Sequence, residues 1–184
     1  MNRMFPQSRR PGFTLVELLA VVAVVAITLF WGLPSFSRLV TASQLRFEAA
    51  RIQRAVNLAR SEAVSRNTPV TICPSPYATS GALECGEAFG VGWIVFSNRD
   101  RDDEFDAGTD KLLRAFGPMP DGFRVMNKAG TKVIATELTY WADGASRRNL
   151  TFMVCPPSGV ALDSWSVVIN LVGRPRLAKG WGTC

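Results

Sequence analysis

The chain has 184 residues, 21 basic side chains against 15 acidic ones, a formal charge of +6 and no histidine. That length holds one soluble domain of about 100–150 residues plus a membrane or targeting element. Without histidine, Ser-His catalysis and His-metal sites are excluded; no paired carboxylate or lysine arrangement replaces them, so the chain reads as a non-enzyme that needs no cofactor.

Three of the positive charges, Arg3, Arg9 and Arg10, precede Gly12. The apolar run Phe13–Leu33 follows, broken by Thr14, Glu17, Thr28 and Gly32. As a helix it would span roughly 31 Å, a membrane's hydrocarbon thickness. A secretory signal would have a shorter apolar region and a small-residue cleavage site. Trp31, Pro34 and Phe36 follow here instead, so the segment is expected to be retained. A central carboxylate in such a span costs about 2.5–3.5 kcal/mol. Glu17 lies one turn in, where interfacial snorkelling is the plain reading and a positive partner the sharper one. Arg38, Arg46, Arg51 and Arg54 follow closely, so the positive-inside count does not decide topology.

Past Pro34, expected to bend the helix, an amphipathic helix is predicted over 34–66. Leu45, Ala49, Ile52, Val56, Ala59 and Ala63 form its apolar stripe, with Arg46, Glu48, Arg51, Arg54, Arg60 and Glu62 on other faces. The stripe suits packing on a domain; a basic DNA-binding helix is the alternative. The helix should end near Arg66–Pro69. Strands are then predicted at Val70–Cys73, Gly92–Phe96, Lys111–Phe116, Phe123–Met126, Leu150–Cys155 and Trp165–Gly173, rich in β-branched and aromatic residues between Gly, Pro, Asp and Asn clusters. The expected class is α+β: a long N-terminal helix, transmembrane over 13–33 and amphipathic over 34–66, packed on an antiparallel β-domain over 67–184.

Cys73, Cys85, Cys155 and Cys184 all follow the apolar run and allow three pairings. Cys73–Cys85 with Cys155–Cys184 is preferred, because it closes the shortest loops and ties down the terminus. No CxxC spacing points to zinc. Disulfides place this part outside the cytoplasm; four buried thiols are the alternative.

Two segments are candidate sites. Asn98–Asp110 is an acidic stretch in which Asn98, Asp100, Asp102 and Asp106 follow a calcium-loop spacing. Asp103 then replaces the turn glycine and Thr109 the bidentate Glu, so no metal is assigned and a solvated hairpin tip is preferred. Near the C-terminus, Gly173, Arg174, Pro175 and Arg176 follow a strand, with Lys179 beyond. Pro175 stiffens the segment, and two guanidinium forks held in this way suit phosphate oxygens. An ordinary soluble tail is the even alternative.

The string Gly12–Leu18 (GFTLVEL) after a short basic leader resembles the processing site of type IV prepilins and type II secretion pseudopilins. The resemblance implies a leader over 1–12, cleavage after Gly12 by prepilin peptidase and N-methylation of Phe13. Glu17 would pair with the terminal amine of a neighbouring subunit during assembly. It also implies a single-pass inner-membrane protein with a periplasmic globular domain, later joining other pilins in a surface pilus. Strand pattern, cysteines and the Gly-Arg-Pro-Arg string are similar to the FimT/GspH branch, in which some FimT-type minor pilins carry a Gly-Arg-x-Arg motif and bind double-stranded DNA during natural transformation. Gly173, Arg174, Pro175 and Arg176 match that motif. Lys179, Arg147, Arg148, Lys128 and Lys132 would extend the patch, and Trp181 would either stack on a base or lie buried. The competing expectation is a structural subunit: a tip-priming minor pilin or a GspH-type pseudopilin.

Overall fold

The computed structural model describes residues 12–102 and 104–184, without the side chains of residues 31–35. The leader ahead of Gly12 and the bend at Pro34 lie outside this description. The chain divides into two units, Met1–Val40 and Thr41–Cys184.

Helix α1 runs from Leu15 to Arg66. Thr14 opens it, its hydroxyl accepting the Glu17 backbone N–H at 3.2 Å. One donor left open at the helix start is thereby satisfied, and the Glu17 carboxylate lies at the positive end of the helix dipole. In the first unit Leu15–Phe30 is exposed and largely apolar. Among the described residues no helix is long and apolar enough to cross a membrane; the expected span ends at residues 31–33, whose side chains lie outside the description.

In the second unit the predicted stripe is buried throughout: Leu45, Ala49, Ile52, Val56, Ala59 and Ala63, with Ala55 added. Glu48 departs from expectation. Placed off the apolar stripe, it is nevertheless only 3 % exposed. Arg51 follows it inward, with an ion pair at 2.6 Å, a bond to the Gly117 carbonyl at 2.7 Å and its guanidinium 5.0 Å from the Trp93 ring. The helix ends at Arg66, where Asn67 takes a left-handed φ of 51° and the Thr68 N–H returns to the Ala63 carbonyl.

Eight strands follow: β1 Val70–Pro74, β2 Trp93–Ser97, β3 Lys111–Phe116, β4 Arg124–Met126, β5 Leu138–Tyr140, β6 Leu150–Cys155, β7 Trp165–Ile169 and β8 Pro175–Lys179. They form two antiparallel four-stranded sheets, ordered β3-β2-β1-β5 and β4-β6-β7-β8. One core joins the helix stripe to Val70, Ile72, Trp93 and Val95 of the first sheet and to Val125, Phe152, Val154, Val167 and Ile169 of the second. The architecture is the expected α+β class. Two strands were not expected: β5 is short, and β8 occupies the segment read as a tail. The predicted run Trp165–Gly173 stops at Ile169 because Asn170–Arg174 turns the chain back. The cysteines are bonded as Cys73–Cys85 and Cys155–Cys184.

Burial raises the Glu48 pKa above 4.5 against the opposing pull of Arg51 and Arg54. Native Glu48 therefore holds its proton to higher pH than the unfolded chain, and its contribution to stability declines as pH rises from 4.5 through the native pKa. Glu48→Gln should remove that decline. The variant remains folded because Arg51 keeps the Gly117 carbonyl and the Trp93 ring. Urea unfolding of both proteins from below pH 4.5 to neutral checks this: the wild-type-minus-variant difference should fall across the window.

Candidate nucleic-acid interface

The Gly-Arg-Pro-Arg segment begins as a turn and continues as an edge strand. β7 and β8 pair antiparallel from Ile169↔Pro175 to Trp165↔Lys179. Between them the Asn170 carbonyl accepts the Gly173 N–H at 2.8 Å, and the Asn170 Oδ1 accepts the Arg174 N–H at 3.0 Å. Proline suits the first position of an edge strand, where its missing N–H costs little.

Gly173 has φ +79°, and a Cβ there would lie 2.5 Å from the Gly144 carbonyl oxygen and 2.6 Å from Tyr140 Cε1. Only glycine fits both the conformation and the space. The turn is also held from outside. The buried Tyr140 hydroxyl donates to the Gly173 carbonyl at 2.9 Å, and burial raises its pKa despite Arg60. Ser146 Oγ lies 3.0 Å from the Asn170 carbonyl oxygen, the Arg147 N–H donates to the Leu171 carbonyl at 3.1 Å, and Arg60 Nε reaches the Gly144 carbonyl at 3.0 Å. The chain thus ties the hairpin to the Trp141–Arg148 loop, and that loop to α1. Sequence reasoning identified the arginines but missed Tyr140, Ser146 and Gly144. The only signal was the aromatic hydroxyl of Tyr140 between Leu138 and Trp141, which must find an acceptor once buried.

Strand alternation separates the predicted cations. Leu177 and Lys179 leave one face of β8 and Arg176 the other. Lys179 pairs with Asp163 at 3.4 Å. Arg147 pairs with Asp143 and Arg148 with Glu137, both at 3.5 Å. A backbone bond from Ala145 and, less strongly, Arg147 lower the Asp143 pKa. Among the described residues no carboxylate pairs with Arg174, Arg176 or Lys128.

Arg176 and Lys128 meet at Trp181. The Arg176 guanidinium lies 4.5 Å and the Lys128 ammonium 4.4 Å from the centre of that ring. Trp181 belongs to a tail folded over the outer face of the second sheet, where Met126, Met153 and Cys155 form a small buried cluster. Ser166 Oγ donates to the Trp181 carbonyl at 3.0 Å, the Gly180 N–H to the Ser164 carbonyl at 2.8 Å, and the Cys155–Cys184 bond closes the end. Trp181 is therefore half-buried and fixes two cations, in place of the free stacking platform weighed from sequence. Lys132 stands on the same turn as Lys128, its carbonyl accepting the Asn127 N–H at 2.9 Å.

In the acidic loop, carboxylate oxygens of Asp100, Asp102 and Asp106 lie within 4.8 Å of one another. The Asp106 pKa is raised by desolvation and by the two neighbouring charges. Asn98 does not join them. It is buried, its Oδ1 accepting the Arg101 N–H at 2.6 Å and its Nδ2 donating to Thr71 at 3.1 Å. Gly12 and Phe13 are exposed ahead of α1, and Glu17 is exposed in its first turn.

Residues 48–173 match the family described as type II transport protein GspH. The chain belongs to the GspH family. Residues 7–31 match the prokaryotic N-terminal methylation motif, which marks pilus- or membrane-associated proteins. The fold is similar to the crystal structure of the Pseudomonas aeruginosa type IV minor pilin FimU, with a TM-score of 0.52 and 20 % identity over 74 % of this chain and 89 % of FimU. It is likewise similar to the minor pseudopilin EpsH from the type 2 secretion system of Vibrio cholerae, with a TM-score of 0.52 and 12 % identity over 74 % of this chain and 97 % of EpsH. No curated protein matches the sequence significantly. GspH-family minor pilins and pseudopilins associate with other pilins in a pilus or pseudopilus. The family match ends at Gly173, so Arg174, Arg176 and the tail lie beyond it.

Gly173→Ala should destabilise the domain by at least the roughly 1–3 kcal/mol of a strained left-handed residue, since the close contacts add to it. Thermal unfolding checks this. Gly159→Ala, also at positive φ but with nothing within 4 Å, should lower the midpoint less.

Proposed function

We propose that this GspH-family chain is a DNA-binding minor pilin of the FimT type, displayed on a type IV pilus to capture extracellular double-stranded DNA for natural transformation. Prepilin peptidase cuts after Gly12 and Phe13 becomes the N-methylated terminus. The first helix holds the unassembled protein in the inner membrane with its globular part in the periplasm. In the filament Glu17 neutralises the terminal amine of a neighbouring subunit, which gives a carboxylate within an apolar run its positive partner. No enzymatic step belongs to this reading.

The observation that carries the DNA reading is the set of exposed cations Arg174, Arg176 and Lys128, placed on a locked hairpin and beside a tryptophan, with no carboxylate partner among the described residues. A preorganised guanidinium loses little freedom on meeting a phosphate. Such contacts are sequence-independent and salt-sensitive, with dissociation constants of about 10⁻⁴–10⁻⁶ M near physiological salt.

Gel-shift titration of the full chain in detergent micelles, with duplex DNA at two salt concentrations, tests this. Arg174→Ala/Arg176→Ala should weaken binding and reduce the log–log salt slope by about two; Lys128→Ala should reduce it by about one. Equal binding by wild type and double variant, or none by either, would leave a structural subunit: a priming minor pilin or a type II secretion pseudopilin.

A further inference from the structure

A second basic site is built on the loop that holds the hairpin turn, through Ser146 and Arg147. A cavity of about 270 Å³ is lined by Arg101, Glu137, Trp141, Ser146, Arg147 and Arg148 among others. Two of its arginines take left-handed backbone conformations, Arg101 at φ 72° and Arg147 at φ 53°. Non-glycine residues are uncommon there, and they persist only where their surroundings hold them. Both are held. The buried Asn98 accepts the Arg101 N–H at 2.6 Å, and the Leu171 carbonyl accepts the Arg147 N–H at 3.1 Å.

The two strained positions deliver their side chains to one ring. The guanidinium carbons of Arg101 and Arg147 lie 5.7 and 4.6 Å from the centre of Trp141. A guanidinium lying against an aromatic face keeps its planar fork of N–H donors for an anion. Arg148 completes the set, anchored by the Glu137 carbonyl at 3.0 Å and its carboxylate at 3.5 Å. Arg147 is paired with Asp143 and Arg148 with Glu137, so the three guanidiniums and two carboxylates leave one positive charge at the site.

Size and donor number select the ligand. Sites for drug-sized molecules run from about 300 to 1,000 Å³, so this cavity suits one small anionic group. A carboxylate offers two oxygens, whereas a phosphomonoester offers three strong acceptors, one for each guanidinium. We propose that the cavity around Trp141 is a phosphomonoester-binding site, built by Arg101, Arg147 and Arg148 and separate from the Arg174–Arg176 contact. It goes beyond duplex capture, because a phosphomonoester occurs at the end of a nucleic-acid strand or on a small phosphorylated compound, never within a continuous backbone.

The test is calorimetric titration of the full chain in detergent micelles with inorganic phosphate. Saturable binding at one site is expected, weakened at least tenfold by Arg101→Ala and by Arg147→Gln, and unchanged by Arg174→Ala/Arg176→Ala. The two single variants perturb different loops, and far-UV circular dichroism selects whichever retains the fold. Absence of saturable binding, or binding indifferent to both variants, overturns the proposal. So does binding lost only in the Arg174→Ala/Arg176→Ala protein. Duplexes with 5′-phosphate and 5′-hydroxyl ends then distinguish the source of the group. Tighter binding of the phosphorylated duplex, lost in Arg101→Ala, assigns a strand end; equal binding alongside intact phosphate affinity assigns a small phosphorylated compound. Duplex affinity that survives in Arg101→Ala but not in Arg174→Ala/Arg176→Ala supports the capture reading even where the phosphate site fails.

Discussion

The bond from the Tyr140 hydroxyl to the Gly173 carbonyl sets most of what the C-terminal half presents. Tyr140 ends the edge strand β5 of one sheet, and Gly173 lies in the turn before the edge strand β8 of the other. A buried phenol without an acceptor would cost about 1–3 kcal/mol, so the two edges must come together wherever the ring is buried. That approach leaves no room for a Cβ, which makes residue 173 glycine and directs the chain into its left-handed turn. Arg174 is the last residue of the turn and Arg176 the second residue of the strand. Their positions follow from a packing requirement one residue upstream.

Much of the fold is legible in the sequence because burial and periodicity agree. The spacing of Leu45, Ala49, Ile52, Val56, Ala59 and Ala63 describes a helix face, and all six are buried. Glu48 shows where that logic stops. Its charge argues for solvent, yet Arg51, the Gly117 carbonyl and the Trp93 ring make a local polar setting inside the protein. Such a setting comes from residues distant in sequence, which no helical window contains. β5 is too short to show an alternating pattern, and β8 opens on a proline and carries two cations in five residues. Those features argue against a central strand but suit an edge, where proline and lysine discourage further pairing.

The candidate site was legible as residue types and opaque as an arrangement. A count of basic residues treats Lys179, Arg147, Arg148, Arg174 and Arg176 alike. The fold sorts them into cations with a carboxylate at 3.4–3.5 Å and cations with none among the described residues. Exposed pairs of the first kind contribute at most about 1 kcal/mol to stability, but they lower the local field available to a polyanion. Lys128, far from the motif in sequence, joins Arg176 through the ring of Trp181. That placement depends on a tail crossing the sheet, held there by Ser164, Ser166 and the Cys155–Cys184 connection.

The same connection bears on why the cations stay in place. An edge strand near a chain terminus frays readily, and β8 is bonded on one side only. Closing a loop with a sequence separation of 29 removes unfolded-state freedom equivalent to about 3–4 kcal/mol in the chain-entropy model. That exceeds the roughly 1 kcal/mol of any single strand hydrogen bond. Edge protection alone would account for Pro175, Arg176 and Lys179, since charges on an edge strand discourage aggregation whatever else they do. It does not account for Arg174, which lies in the turn, or for Lys128, which comes from another turn and is drawn to the same tryptophan as Arg176. Placing cations from separate segments together without a carboxylate between them costs electrostatic repulsion, and an anionic partner would relieve it.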